Sequence, residues 1–193
     1  MAQINNDLHE GGPEAQGATA SGPAPEPSER LPKWLSLLAW AGAECIRLRG
    51  LRTPRREEKA RALWTTGLAL ASVHVALAFH LRHGWSQASA WAETARQTQE
   101  LLGRPYGWGL FVNYAFLAVW AADAAWWWGK PASFSTRSRL LDVPIRLFLL
   151  FIFVNGAIVF AHGAVRILGL LTLAALVVAW HGGRRVPAWE SGK

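Results

Sequence analysis

The sequence predicts an all-α integral membrane protein: four transmembrane helices in a bundle, an N-terminal interfacial helix, and an outer-side amphipathic helix between spans 1 and 2. Three observations support this fold class. Of 193 residues, 51% are hydrophobic and only 17% are charged. The apolar residues are gathered into runs of about 20, the length that crosses about 30 Å of hydrocarbon. Most of the 12 tryptophans lie near the ends of these runs, where indole rings favour the headgroup boundary.

Two segments precede the spans. Residues 1–32 are rich in Pro, Gly, Ala, Ser and Glu, which bury too little apolar surface to offset the entropy of ordering, so a disordered tail is predicted. No cleavable signal peptide is recognised, so the first span is expected to act as the insertion signal. Residues 33–61 begin with about 13 mostly apolar residues, too few to cross a bilayer. They predict a helix in the membrane interface, or alternatively one docked on the bundle, followed by a basic cytoplasmic linker.

The membrane domain, residues 62–183, contains four apolar runs. The predicted spans lie at about 62–81, 109–128, 143–161 and 165–180. The fourth run is barely long enough to cross. In the second span, one helical face collects polar and large aromatic side chains, which neighbouring helices should cover. This seam consists of Asn113, Phe116, Trp120, Asp123 and Trp127.

The first span and the segment after it add two further predictions. One face of the first span carries small residues that should let another backbone approach closely. That face consists of Gly67, Ala71, His74 and Ala78. Residues 86–102 predict the amphipathic helix that caps the bundle on the outer surface, ended by Gly103.

Basic residues set the predicted orientation. They cluster before the first span, between the second and third spans, and in the tail 184–193, whereas the outer loops carry few. By the positive-inside rule, both termini are cytoplasmic and the chain is a multi-pass protein of the cell inner membrane. The cations are expected to contact anionic lipids at the inner face. Nucleic acid is not an expected partner, because no base-stacking aromatics are interleaved with the cations on a soluble domain.

Polar residues within the spans define two candidate sites. Towards the inner side, Asp123 and Arg146 are expected to form an ion pair, because an unpaired charge in hydrocarbon is strongly unfavourable. This pair predicts a structural clasp between two helices. The alternative is a proton or ion relay through Asp123 in a small transporter.

Towards the outer side, histidine and asparagine side chains from several spans approach one another in depth. Imidazoles on two helices, with glycines nearby, are what bis-axial ligation of a b-type haem requires, and the same groups suit a quinone headgroup. The alternative is ordinary hydrogen bonding between helices. The residues concerned are His80, His162, Asn113 and Asn155, with His74 as the alternate ligand.

The sequence contains no motif typical of hydrolases, nucleotide-binding proteins or thiol-redox enzymes. No catalytic residue and no metal site are therefore assigned. The favoured hypothesis is a non-enzymatic accessory or assembly subunit of a membrane complex, with other membrane subunits as partners. The alternatives are a redox subunit that binds haem b or quinone, and a small transporter.

Overall fold

The computed structural model describes residues 27–51, 53–159, 161 and 163–184, and all regular structure in these ranges is helical. The elements in chain order are α1 (Pro27–Leu48), α2 (Pro54–His83), α3 (Gln87–Leu102), α4 (Gly109–Gly129), α5 (Pro131–Ser135), α6 (Arg139–Val154), a π-helical turn (Asn155–Val159) that continues α6, and α7 (Ala164–Arg184). The all-α prediction is confirmed. Most of the predicted N-terminal tail and nearly all of the C-terminal tail lie outside the described residues.

Three helices are long and apolar enough to cross a bilayer: α2, α4, and α6 together with its π-helical turn. They correspond to the first three predicted spans. The apolar part of α7, Arg166–Gly182, is shorter than these three. A fourth span therefore stays a prediction.

Five helices form a closed circuit of contacts, here called the ring. In this ring α1 packs against α2, α2 against α4, and α4 against α6. The π-helical turn after α6 packs against α7, and α7 packs against α1. The centre of the ring is aromatic. Trp64 of α2 meets Trp120 and Trp127 of α4 edge-on, with ring centroids 5.6 and 6.4 Å apart, and all three side chains are fully buried. The seam predicted on α4 is confirmed from Phe116 to Trp127, whereas Asn113 at its other end is exposed.

The helix α1 is part of this ring. It runs antiparallel to α2, and the Ser36 hydroxyl donates a hydrogen bond to the Gly67 carbonyl oxygen at 2.8 Å. On its other side, Trp40 stacks on Phe153 of α6 with ring centroids 4.3 Å apart. Several residues of α1, among them Glu44, are buried against the other helices, which agrees with the expectation that this segment docks on the bundle. Its placement in the membrane interface stays a prediction.

Two glycines allow close helix contacts. A methyl group added at Gly67 would lie 2.9 Å from the Trp120 ring and 3.3 Å from the backbone nitrogen of Trp40. The small-residue face predicted on α2 therefore admits the α1 backbone at this point, as expected. A methyl group at Gly169 of α7 would lie 2.6 Å from the carbonyl oxygen of Ala157 in the π-helical turn. Larger side chains at either position would push two helices apart.

We expect Gly67→Val to lower the unfolding free energy in detergent by about 1–3 kcal/mol, the usual cost of overpacking a filled core. The matched control is Gly129→Val, because a methyl group at Gly129 meets no atom within 4 Å. Thermal unfolding followed by near-UV circular dichroism measures both variants. Equal midpoints for the two variants would show that the α1–α2–α4 contact has room to spare.

Candidate functional site

Six charged side chains gather at the end of the bundle where α1 connects to α2, the end predicted to be cytoplasmic and here called the inner end. Three are carboxylates and three are guanidinium groups, so the formal charges cancel. This group, the ionic clasp, consists of Glu44, Arg47, Asp123, Arg137, Asp142 and Arg146. It links the C-terminal part of α1, the last turns of α4, the connection after α5 and the first turns of α6.

The core of the clasp is a reciprocal pairing of α1 with α6. Glu44 and Arg47 are one turn apart on α1, and Asp142 and Arg146 are one turn apart on α6. Between the helices, Arg146 Nε donates to Glu44 Oε2 at 2.9 Å, and Arg47 Nη2 donates to Asp142 Oδ1 at 3.0 Å. Within the helices, Arg47 donates to Glu44 at 3.1 Å and Arg146 donates to Asp142 at 3.4 Å. Each charge therefore has one opposite partner on its own helix and one on the other helix.

Arg137 extends the clasp to α4. Its Nε donates to Asp142 Oδ1 at 2.8 Å, and its Nη1 donates to Asp123 Oδ1. The Arg137 and Asp123 side chains are 3% and 0% exposed. The short helix α5 begins at Pro131 and turns the chain so that Arg137 reaches the end of α4. Asp142 therefore contacts all three arginines and is the centre of the network.

Aromatic rings enclose two of the arginines. The Arg47 guanidinium lies 4.9 Å from the Trp64 ring centroid and 5.4 Å from that of Trp127. The Arg137 guanidinium lies 4.2 Å from the Phe134 ring, which stacks on Trp127 with centroids 4.4 Å apart. Cation–π attraction adds to the ion pairs, and the rings keep water away. The surrounding dielectric is lowered, which strengthens each charge–charge contact.

The direct pair predicted between Asp123 and Arg146 is corrected by this geometry. Asp123 bonds to Arg137, whereas Arg146 bonds to Glu44 and Asp142. The sequence interpretation assigned Arg137 to a cytoplasmic loop and Glu44 to an interfacial helix, so both partners were missed. A usable signal was present, because opposite charges three and four residues apart on apolar helices are typical of side chains that pair on one face.

Two of the outer-side residues considered for haem or quinone have hydrogen-bond partners close by in the chain. His80 is exposed, and its Nδ1 accepts a hydrogen bond from Trp85 Nε1 at 3.2 Å. The Asn155 side-chain amide donates to the Phe151 carbonyl oxygen, one turn earlier in α6, at 2.7 Å. Both contacts are with groups four or five residues away in the chain, and neither is the bond between helices that the alternative interpretation expected.

Two of the other three outer-side residues lie in described helices. His74 is half-buried on α2 and Asn113 is exposed on α4. His162 lies outside the described residues. An apolar crevice between α1, α6 and α7, bordered by Trp40 and Phe153, has a volume of about 10 Å³. This is about the space that a single water molecule needs, and it is too small for a haem or a quinone ring.

The outer end carries the helix expected between the first two spans. Ser86 begins α3 by accepting a hydrogen bond from the Ser89 backbone at 3.2 Å, and Gly103 ends it with a left-handed φ of 72°. On its surface, Arg96 Nε and Nη2 donate to both carboxylate oxygens of Glu93, at 2.9 and 2.7 Å. These two hydrogen bonds hold the pKa of Glu93 below its ordinary value.

We expect Asp142→Asn to lower the unfolding free energy by about 3 kcal/mol, because it leaves three largely buried arginines without the negative charge that they share. The matched control is Glu58→Gln on the exposed side of α2, for which a change within about 0.5 kcal/mol is expected. Denaturant titration in detergent micelles measures both variants. A loss at Asp142 no larger than that at Glu58 would contradict a structural role for the clasp.

No protein-family model matches the chain, and no curated protein and no solved structure is similar to it at a significant level.

Proposed function

We propose that this protein is a non-enzymatic accessory or assembly subunit of a membrane complex. The charged groups of its ionic clasp are bonded to one another, which suits a stabilising role better than a reactive one. Its apolar helix faces point outwards, where other membrane subunits can bind. The observation that carries the proposal is the uncovered face of α6.

This face has the spacing of a helix–helix contact surface. Leu140, Val143, Leu147 and Phe151 follow one another at intervals of three and four residues, and each is exposed. Leu140, at the inner end, is 89% exposed. In the apolar window of this span, only 11% of the residues are buried inside the chain, the lowest share among the three candidate spans. A partner helix that packs along α6 would bury this stripe.

The proposed membrane setting follows from the placement of the cations. Arg55, Arg56 and Lys59 at the start of α2, together with Lys130 and Arg139, are exposed at the inner end. We assign this end to the cytoplasmic face of the cell inner membrane, where these cations contact anionic lipid headgroups. With α7 as a fourth span after α2, α4 and α6, the C-terminal end of the chain returns to the same face.

The two alternatives are less well supported by the geometry. A transporter using Asp123 draws support from one feature: among the described residues, no group bonds to its buried Oδ2. Its Oδ1 is engaged by Arg137, however, and the side chain has no exposed surface. A redox role requires two imidazoles that face a shared ligand, and His80 is directed to Trp85 instead.

Site-specific photocrosslinking in native membranes tests the proposal. A photoreactive benzoylphenylalanine is placed at Leu147 on the α6 face and, as a control, at Val73, an exposed apolar residue of α2. We expect a discrete protein adduct of reproducible mass from position 147 and only lipid adducts from position 73. Lipid adducts alone at position 147 would refute a partner on this face, and identical protein adducts at both positions would indicate non-specific contact.

A further inference from the structure

We propose that α1 is itself a membrane-crossing helix, so that the chain preceding it lies on the outer side of the bilayer. The two ends of the protein would then lie on opposite sides, in contrast to the cytoplasmic N-terminus predicted from the sequence. This inference rests on the proposed membrane placement of α2 and α6. It is carried by the length of α1, its register against the spans and the pairing of its charges.

The 22 residues of α1 extend about 33 Å at 1.5 Å per residue, against a hydrocarbon thickness of about 30 Å. The first seven residues, up to Lys33, include three charged residues, so α1 is not among the helices apolar enough to cross by themselves, and its outer end has to reach the headgroup region. An interfacial helix of this length would leave one long face to the headgroups. In the structure, Leu37, Trp40, Ala41 and Ala43 are instead buried within the ring.

Contacts at its two ends place α1 at the same depth as α6. At the inner end, Arg47 bonds to Asp142. Towards the other end, the Lys33 side chain lies 3.9 Å from the position of a methyl group added at Gly156, in the π-helical turn. Fourteen residues separate the two contacts on each helix, so α1 runs antiparallel to α6 without tilting out of the bundle. Because Arg139–Val159 is long enough to cross, α1 covers most of the same thickness.

The packing of α1 on α2 points to the outer end independently. Ser36 of α1 bonds to the Gly67 carbonyl of α2 and the two helices are antiparallel, so the residues before Ser36 lie beside the part of α2 that follows Gly67. The residues of α1 before Lys33, which begin at Pro27, extend further in the same direction. The N-terminal end of α1 therefore lies beside the outer end of α2, and its C-terminal end lies beside the inner end.

Charge pairing explains how a helix with this composition enters hydrocarbon. Glu44 and Arg47 count against a span when each is taken alone. In the structure, Arg146 and Asp142 of α6 neutralise them, which removes most of the cost of a charge in the membrane. These partners follow about 100 residues later in the chain, since 102 residues separate Glu44 from Arg146. Stable insertion of α1 consequently depends on α6.

Cysteine accessibility in whole cells tests the inference on the full chain. Cys45→Ala removes the single cysteine, and one cysteine is then introduced at a time. Ser21→Cys reports on the chain before α1, Arg55→Cys on the inner end, and Glu100→Cys in α3 on the outer end. A membrane-impermeant maleimide is applied to intact cells and again after permeabilisation. We expect positions 21 and 100 to react in intact cells, and position 55 to react only after permeabilisation.

The controls separate the two ways in which the inference can fail. If position 21 reacts only after permeabilisation while positions 55 and 100 behave as expected, α1 does not cross and the placement of α2 and α6 stands. If positions 55 and 100 react alike, the proposed placement of α2 and α6 across the membrane is wrong, and the crossing of α1 is then also refuted.

A depth measurement on α1 provides a second test. Leu38 is near the middle of α1 and 47% exposed, so a bimane label at Leu38→Cys, again in the Cys45→Ala background, samples the surrounding lipid. In vesicles of brominated phosphatidylcholine, we expect stronger quenching by bromines near the bilayer centre than by bromines near the headgroups. Stronger quenching by the shallow bromines would place α1 in the interface and overturn the proposal.

Discussion

The reciprocal pairing of Glu44 and Arg47 on α1 with Asp142 and Arg146 on α6 is the constraint on which the rest of the structure depends. Glu44 and Arg47 are almost fully buried, and Asp142 and Arg146 are about one quarter exposed. Each charge is compensated by an opposite charge on its own helix and on the facing helix. In a low dielectric such an arrangement is strong only when it is complete, because the loss of one member leaves an uncompensated charge. The inner end of the bundle is therefore held in a single register.

The aromatic core stabilises the ionic clasp at the inner end of the bundle. Trp64, Trp127 and Phe134 cover Arg47 and Arg137. The adjacent Trp120 fills the space beside Gly67. The rings exclude water and so maintain the low dielectric that the ion pairs need. The charges of the clasp pair with one another. Interaction with lipids and with other subunits is therefore expected at the apolar helix faces and at the exposed cations of the inner end. That division of roles underlies the proposal of an accessory subunit.

Much of the fold could be predicted from periodicity and length. Three apolar runs became α2, α4 and α6, and the seam from Phe116 to Trp127 is buried as predicted, because hydrophobic length and helical spacing are local properties of a sequence. The close approach of α1 to α2 at Gly67 was predicted from the small residues on one face of the first span.

The partners in the clasp could not be predicted in the same way. Arg137 reaches Asp123 only because α5 turns the chain at Pro131, and the neutralisation of Glu44 depends on a helix far along the chain. The sequence showed about 13 mostly apolar residues in this segment, which predicted a helix in the interface or docked on the bundle but did not show which helix pairs with Glu44. The outer histidines were proposed from depth alone, and depth does not fix the direction of a side chain, as the hydrogen bond of His80 to Trp85 shows.

A double-mutant cycle between α1 and α6 tests the central claim most directly. The unfolding free energy is measured in detergent for the wild type, Glu44→Gln, Arg146→Met and the double variant, with Glu58→Gln and Arg146→Met as an uncoupled reference cycle. The account predicts a coupling energy of about 1–3 kcal/mol for Glu44 with Arg146 and near zero for the reference. Losses that add to within about 0.5 kcal/mol in both cycles would contradict the clasp as the interaction that holds α1 to α6.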